Sequence, residues 1–384
     1  MSGFTNIGFK GNVALNTQIT ETPIASYSLT QQANNSAPAV VSGNNLGSSV
    51  SCNNDNIIIG CPNYTVNGTA NAGSAFIYNK TNSTLTMFTS LNPQQNGYFG
   101  SSVAISTTSF VVGAPGENNG QGNAYFGTGY NGNWGLDSQL VFDTSVEKTG
   151  KFGSSVDISE TYIICGAPYA KAKFGAVYVY DTSLTYKAKL SATTINFGWD
   201  VSLDSETLAI STPYENASTG AVYIFSHNSS NKWIQTAKLT NINGQSNDHY
   251  GYSIDIHAGK LLIGSPGSNE TFFYNGYWDT WTLLNTITVR TTNGLYSDLT
   301  YNDADLQGYC VCQDKLIYIS SPNNNGQGCI YAFELVDGNI IPSINTKLIS
   351  TTGSAGENFG TSISSYSSEL VIGNPNANSW FIFN

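Results

Sequence analysis

The sequence predicts an all-β fold, a seven-bladed β-propeller of four-stranded antiparallel blades, closed by an N-terminal strand that completes the last blade. Three observations carry this expectation. The segment "FGSSVAISTTSFVVGAP" at 99–115 returns nearly word for word as "FGSSVDISETYIICGAP" at 152–168. Its glycine recurs in seven copies, at Gly47, Gly100, Gly153, Gly198, Gly251, Gly308 and Gly360. A proline follows each, at Pro62, Pro115, Pro168, Pro213, Pro266, Pro322 and Pro375, 15 residues later in six copies and 14 in one. A unit of about 50 residues repeated in this way buries its apolar face by stacking on its neighbours.

Each unit resolves into strands in the same order. Three residues after the glycine stand Val50, Val103, Val156, Val201, Ile254, Val311 and Ile363, all β-branched, and the residues beside them alternate with the period of a strand. One position earlier lie Ser49, Ser102, Ser155, Asp200, Ser253, Cys310 and Ser362, all small. One face of this first strand therefore packs, and the other admits a close neighbour near the propeller axis. A short turn leads to an apolar second strand such as "FVVG" or "LLIG", ended by the proline, which cannot donate to a ladder. Third strands follow a polar loop, as in "SAFIYN", "GAVYVYD" and "SWFIFN", and looser fourth strands follow those, as in "WIQTAKL".

The seventh unit stops after its third strand, so its fourth must come from before Gly47. The segment "ASYSLTQ" at 25–31 has the character of the other fourth strands and is expected to fill that place, leaving no open seam. The organisation read from the sequence is thus an N-terminal arm at 1–24 and one propeller at 25–384.

These repeats resemble FG-GAP repeats, the units of the integrin alpha-chain head, over about residues 25–384. The resemblance implies a seven-bladed propeller, and it fixes fold more than task, because related repeats occur in fungal sugar-binding propellers and beside unrelated enzymes. Several integrin-type repeats also carry an Asp-x-Asp-x-Asp-Gly calcium loop between the first two strands. Here that connection reads "STTS", "DSET" or "HAGK", too short and too poor in acids for such a loop. The near match "DADLQG", with Asp303, Asp305 and Gly308, precedes the sixth unit and reads as a solvated acidic loop. No metal and no cofactor is expected.

Composition narrows the function classes. Charged residues make up 10% of the 384, the net charge is −11, and the 14 basic residues include one arginine, Arg290. A chain without Lys or Arg clusters neutralises few phosphates, so nucleic acid is not an expected partner. No stretch of about 18 apolar residues is present, so membrane insertion is not expected either. There is no signal-peptide pattern at the N-terminus. Placed on propeller strands, the six cysteines do not approach in pairs, which points to synthesis in a reducing cytosol, with later display on a particle or cell surface compatible with it.

No catalytic constellation emerges. His227, His249 and His257 fall in separate turns and loops. Asp157, Asp200 and Asp255 lie near inner strands and read as polar channel lining. The chain is therefore expected to be no enzyme. Trp134, Trp233 and Trp281 stand near the starts of fourth strands and read as blade-edge packing.

In a four-stranded meander the loops from strand two to three and from four to one emerge at the same end, and here that end collects the longest polar segments. Tyr64, Glu117, Tyr169, Tyr214 and Glu215 follow their prolines there, and the insertion at 291–307 adds Asp298, Asp303 and Asp305. Aromatic rings among amides and carboxylates suit sugar or protein recognition. The expected function is a non-enzymatic recognition module binding a glycan or protein surface through this face. The alternative is a structural subunit of a coat, fibre or virus particle that self-assembles through its N-terminal arm.

Overall fold

The computed structural model describes residues 31–36, 44–130, 132–140, 149–288, 310–312, 315–322, 327–336, 339–350 and 356–383. They form seven four-stranded antiparallel sheets. Blade one comprises β2 (Val50–Cys52), β3 (Asn56–Cys61), β4 (Ser74–Asn79) and β5 (Thr84–Thr89), and blades two to six repeat that order. The innermost strands touch one another in ring order, and β26 (Ser362–Tyr366) of blade seven touches β2 of blade one, so the ring is closed.

Closure uses the N-terminal segment, as the sequence requires, but further along the chain than expected. β1 (Gln31–Ser36) pairs with β28 (Ser379–Phe383) in the register Gln31 to Phe383 and Ser36 to Ser379, with an irregularity between Gln31 and Ala33. Of "ASYSLTQ", Gln31 is the residue described, and it stands at the start of this strand. An outer strand is held by main-chain bonds to a single neighbour, which any side chain permits, so the polar "QQANNS" serves in this place. Residues 1–24 and 25–30 lie outside the described residues. Two further links seal the seam: the Ser362 hydroxyl donates to Gly47 O at 2.9 Å, and Cys52 N–H donates to Ser364 Oγ at 3.1 Å.

The apolar core is divided among seven clusters, each between two adjacent blades. Ile58, Ala75 and Ile77 of blade one meet Val103, Phe110 and Val112 of blade two, for example. The aromatic residue before the entry glycine in five blades plugs this interface: Phe99, Phe152, Phe197, Tyr250 and Phe359 are all fully buried, and Phe99 packs on Tyr125 at 5.4 Å. Gly100, which follows Phe99, has φ +93°, a conformation that a side chain would strain.

The small residues two positions after the entry glycine form a clasp to the next blade. Ser49, Ser102 and Ser155 donate to Gly100 O, Gly153 O and Gly198 O at 2.9, 2.9 and 3.1 Å. The approach is close enough to exclude any side chain opposite. A Cβ on Gly113 would lie 2.0 Å from Gly153 O and 2.3 Å from Ser102 Oγ. Blade four exchanges both partners together, with Asp200 for the serine and Ser211 for the glycine, and Asp200 N–H donates to Ser211 Oγ at 3.0 Å.

Candidate functional site

The loops expected at one end do meet there. Asn196 N–H donates to Lys173 O, and His249 N–H donates to Ser218 O, which ties each two-to-three loop to the four-to-one loop entering the next blade. The chain turns sharply in these loops, with positive φ at Asn118, Asn119, Asn216 and Ala217.

The structure sorts the residues the sequence places at this end. Glu117 is turned inward and fully buried, accepting from Asn123 Nδ2 and from the Tyr125 hydroxyl, both at 2.5 Å. Glu215 accepts from the Tyr223 hydroxyl at 3.0 Å and pairs with Lys238 Nζ at 2.5 Å. Glu117 thus braces the third strand of its blade, and Glu215 the third and fourth of its own. Tyr64 is half-buried against the cluster shared by blades one and seven. Tyr169 and Tyr214 remain half-exposed, and the Tyr214 phenol is pushed up by burial and by the neighbouring Tyr169. Asp298, Asp303 and Asp305 lie outside the described residues.

Tyr214 stands in an aromatic group that also contains His249 and two residues the sequence reading does not single out, Trp199 and Tyr252. Trp199 lies 5.0 Å from Tyr214 and 5.7 Å from Tyr252 between ring centroids, and His249 lies 5.2 Å from Tyr214. These rings already touch, so a ligand meets their outward faces and does not enter between them. Phe174, Ile195 and Ile242, at 47%, 44% and 94% exposure, extend the apolar surface on loops of the same end.

A signal for Trp199 and Tyr252 does exist in the repeat. Both occupy the position directly after the entry glycine, where blades one, two, three and seven hold serine or threonine and blade six holds Tyr309, which lies outside the described residues. Ser48, Ser101, Ser154 and Thr361 there donate to the carbonyl three residues back at 2.7 to 2.8 Å. Trp199 and Tyr252 keep the backbone turn, through bonds to Asn196 O and His249 O, but give up the side-chain bond.

The carboxylates near the axis serve the ring. Asp157 accepts from Leu203 N–H of the next blade at 2.7 Å and from Ile158 N–H at 2.8 Å. Asp200 accepts from Ile254 N–H at 2.9 Å and from Val201 N–H at 3.0 Å. Elsewhere a serine does this work, as when Ile105 N–H donates to Ser51 Oγ and Ile256 N–H to Ser202 Oγ. Burial pushes both aspartates up to about 7, against the lowering effect of their backbone donors.

At the opposite end, among the hairpins that join first and second strands, the channel opens into a cavity of about 410 Å³. The tryptophans of the fourth strands pack on blade surfaces, with Trp134 against Phe110 at 5.8 Å and Trp233 against Tyr162 at 5.3 Å. Cys52, Cys61, Cys165, Cys310 and Cys329 are buried. Among the described residues no group of three or more His, Cys, Asp or Glu side chains is placed to hold a metal, and no helix is long and apolar enough to cross a membrane.

Seven self-similar sheets around a polar axis, with irregular loops gathered at one end, define a repeat propeller whose fold is compatible with a binding or interaction module. The FG-GAP repeat family model matches residues 88–126, 144–180 and 233–276, and together with the seven-bladed ring these matches support an FG-GAP propeller protein. No curated protein matches the chain. Among solved structures it is similar to a functionally unknown protein from Desulfotomaculum acetoxidans DSM 771, at 11% identity and a TM-score of 0.48, over 70% of this chain and 74% of that one.

Proposed function

We propose that this propeller is a non-enzymatic recognition module that binds a glycan or protein surface through the loop-rich face over blades three to five. The observation that supports this reading is the exchange of turn-forming hydroxyls for Trp199 and Tyr252. A serine at those positions contributes a hydrogen bond of about 0.5–1.5 kcal/mol to the fold, and the aromatic residues forgo it to present half-exposed rings. Rings held by one another are rigid, so a ligand that stacks on them loses little binding energy to their ordering. Tyr214, Tyr169 and the exposed Phe174 and Ile195 widen the surface around them.

The test restores what the repeat itself uses. Trp199→Ser with Tyr252→Ser returns the residue of blades one to three and keeps the turn. Wild type and variant are passed over a glycan array and over immobilised cell-surface protein, with circular dichroism as the folding control. Retention of the wild type and at least a ~10-fold weaker signal from the variant is expected. Equal retention of both would sink the assignment to this face. Defined oligomers that dissociate on removal of residues 1–24, without retention on either surface, would favour an assembly subunit instead.

A further inference from the structure

The cavity of about 410 Å³ lies at the hairpin end of the channel, away from the aromatic face. It is built in two layers. Ile105, Ile158 and Leu203, each five residues after an entry glycine, supply aliphatic side chains that are more than nine-tenths buried. Glu160, Asp204 and Glu206 line the same cavity from the hairpin tips, and no Lys, Arg or His is among the lining residues. Glu160 and Asp204 each use one oxygen on a neighbouring blade, Glu160 Oε1 accepting from Thr107 N–H at 2.8 Å and Asp204 Oδ2 from Ala258 N–H at 2.6 Å. These bonds fix both carboxylates at the cavity wall. Glu206 is 71% exposed at its side chain, with His227 Nδ1 3.9 Å away.

We infer that this cup binds an alkylammonium group, with the aliphatic stem against Ile105, Ile158 and Leu203 and the charged head among the three carboxylates. The two layers select for that chemistry together. An inorganic cation gains nothing from the apolar layer and is well hydrated in bulk, and a neutral aliphatic molecule gains nothing from the carboxylates. A primary ammonium on a chain of four or five carbons uses both, burying its methylenes while its head stays beside charge and water. Three carboxylates uncompensated by a lining cation set a negative potential inside low-dielectric walls, which concentrates cations at the mouth. The ammonium has two natural carriers, a free diamine and the lysine side chain of a polypeptide, and the cup recognises the group they share.

Isothermal titration of the full chain with 1,5-diaminopentane, with 1,5-pentanediol and with sodium chloride separates these contributions, and a short lysine-containing peptide forms a further arm. Saturable binding of the diamine or the peptide is expected, weakened at least ~10-fold by Glu160→Gln with Glu206→Gln and by raised salt, while the diol does not bind. Both substituted residues lie on exposed hairpin tips, and circular dichroism checks that the variant folds. A response to the diamine alone assigns the cup to small amines, and one to the peptide alone assigns it to a partner's lysine. The inference is overturned if neither binds, if the diol binds equally, or if the double variant binds as the wild type does. Trp199→Ser leaves these titrations unchanged, which keeps the cup and the aromatic face separable.

Discussion

Raising the pH from about 5 to about 8 should weaken this propeller, with the loss traceable to Asp157 and Asp200. In the folded ring burial carries both carboxyls to about 7, from 3.8 in an exposed chain, with Asp204 beside Asp157 and Asp157 beside Asp200 adding to the rise. The folded state therefore holds more protons than the unfolded state between those values. A carboxyl whose folded value is raised contributes its stability at low pH and loses it as the pH climbs through about 7. Carrying one group from about 4 to about 7 corresponds to ~4 kcal/mol at full desolvation. Both side chains keep some exposure on the channel wall, and screening there reduces the figure to ~1–2 kcal/mol each. Asp181, held low by Lys187 and backbone donors despite some burial, changes charge below this window and does not mask the effect. Urea midpoints followed by tryptophan fluorescence across the range should fall with pH in the wild type. Asp157→Asn with Asp200→Asn should flatten the profile at a cost of ~1 kcal/mol, because an amide offers one acceptor where the carboxylate serves two N–H groups. A wild-type profile that is flat or rises with pH, or an unchanged slope in the variant, would refute the reasoning.

Two substitutions test the packing between and within blades. Gly113→Ala puts a methyl 2.0 Å from Gly153 O, so blades two and three must part, and unfolding in urea should show a loss of ~3 kcal/mol or more. Glu117 Oε1 is buried without a donor, whereas the corresponding Glu215 Oε1 takes the ammonium of Lys238. Gln139 faces Tyr125 as Lys238 faces Tyr223, so Gln139→Lys should supply the missing cation, gain ~1 kcal/mol and raise the Tm by ~2 °C in a thermal scan.

The ring is legible in the sequence because its geometry repeats. A clasp that sets a small residue opposite glycine in most blades, and a proline that ends the second strand in every blade, leave a mark that counting detects. The closing strand is less legible because an edge strand asks so little of its side chains: Gln31–Ser36 is chosen by main-chain pairing with β28 and by the span needed to reach Leu46, whose N–H meets Asn378 Oδ1 at 3.4 Å. Glu117 and Glu215 illustrate a different limit. Their place after a proline puts them on the loop-rich end, but the direction of each side chain depends on Tyr125 or Tyr223 on the third strand, and on whether lysine or glutamine stands on the fourth.

The candidate face depends on departures from the repeat. Where most blades agree, the shared residue has a shared structural duty, as with the hydroxyls of Ser48, Ser101, Ser154 and Thr361. Replacing that duty with a bulky ring in successive blades, Trp199 and Tyr252 among the described residues, and clustering those rings with Tyr214 and His249, adds nothing the turn requires. The Asp200 and Ser211 exchange in the same blade is of the opposite kind, since each change accommodates the other and the contact between blades survives. A departure compensated within the fold belongs to the fold, and one left uncompensated at the surface points to a ligand. By that criterion blades four and five carry the face among the described residues.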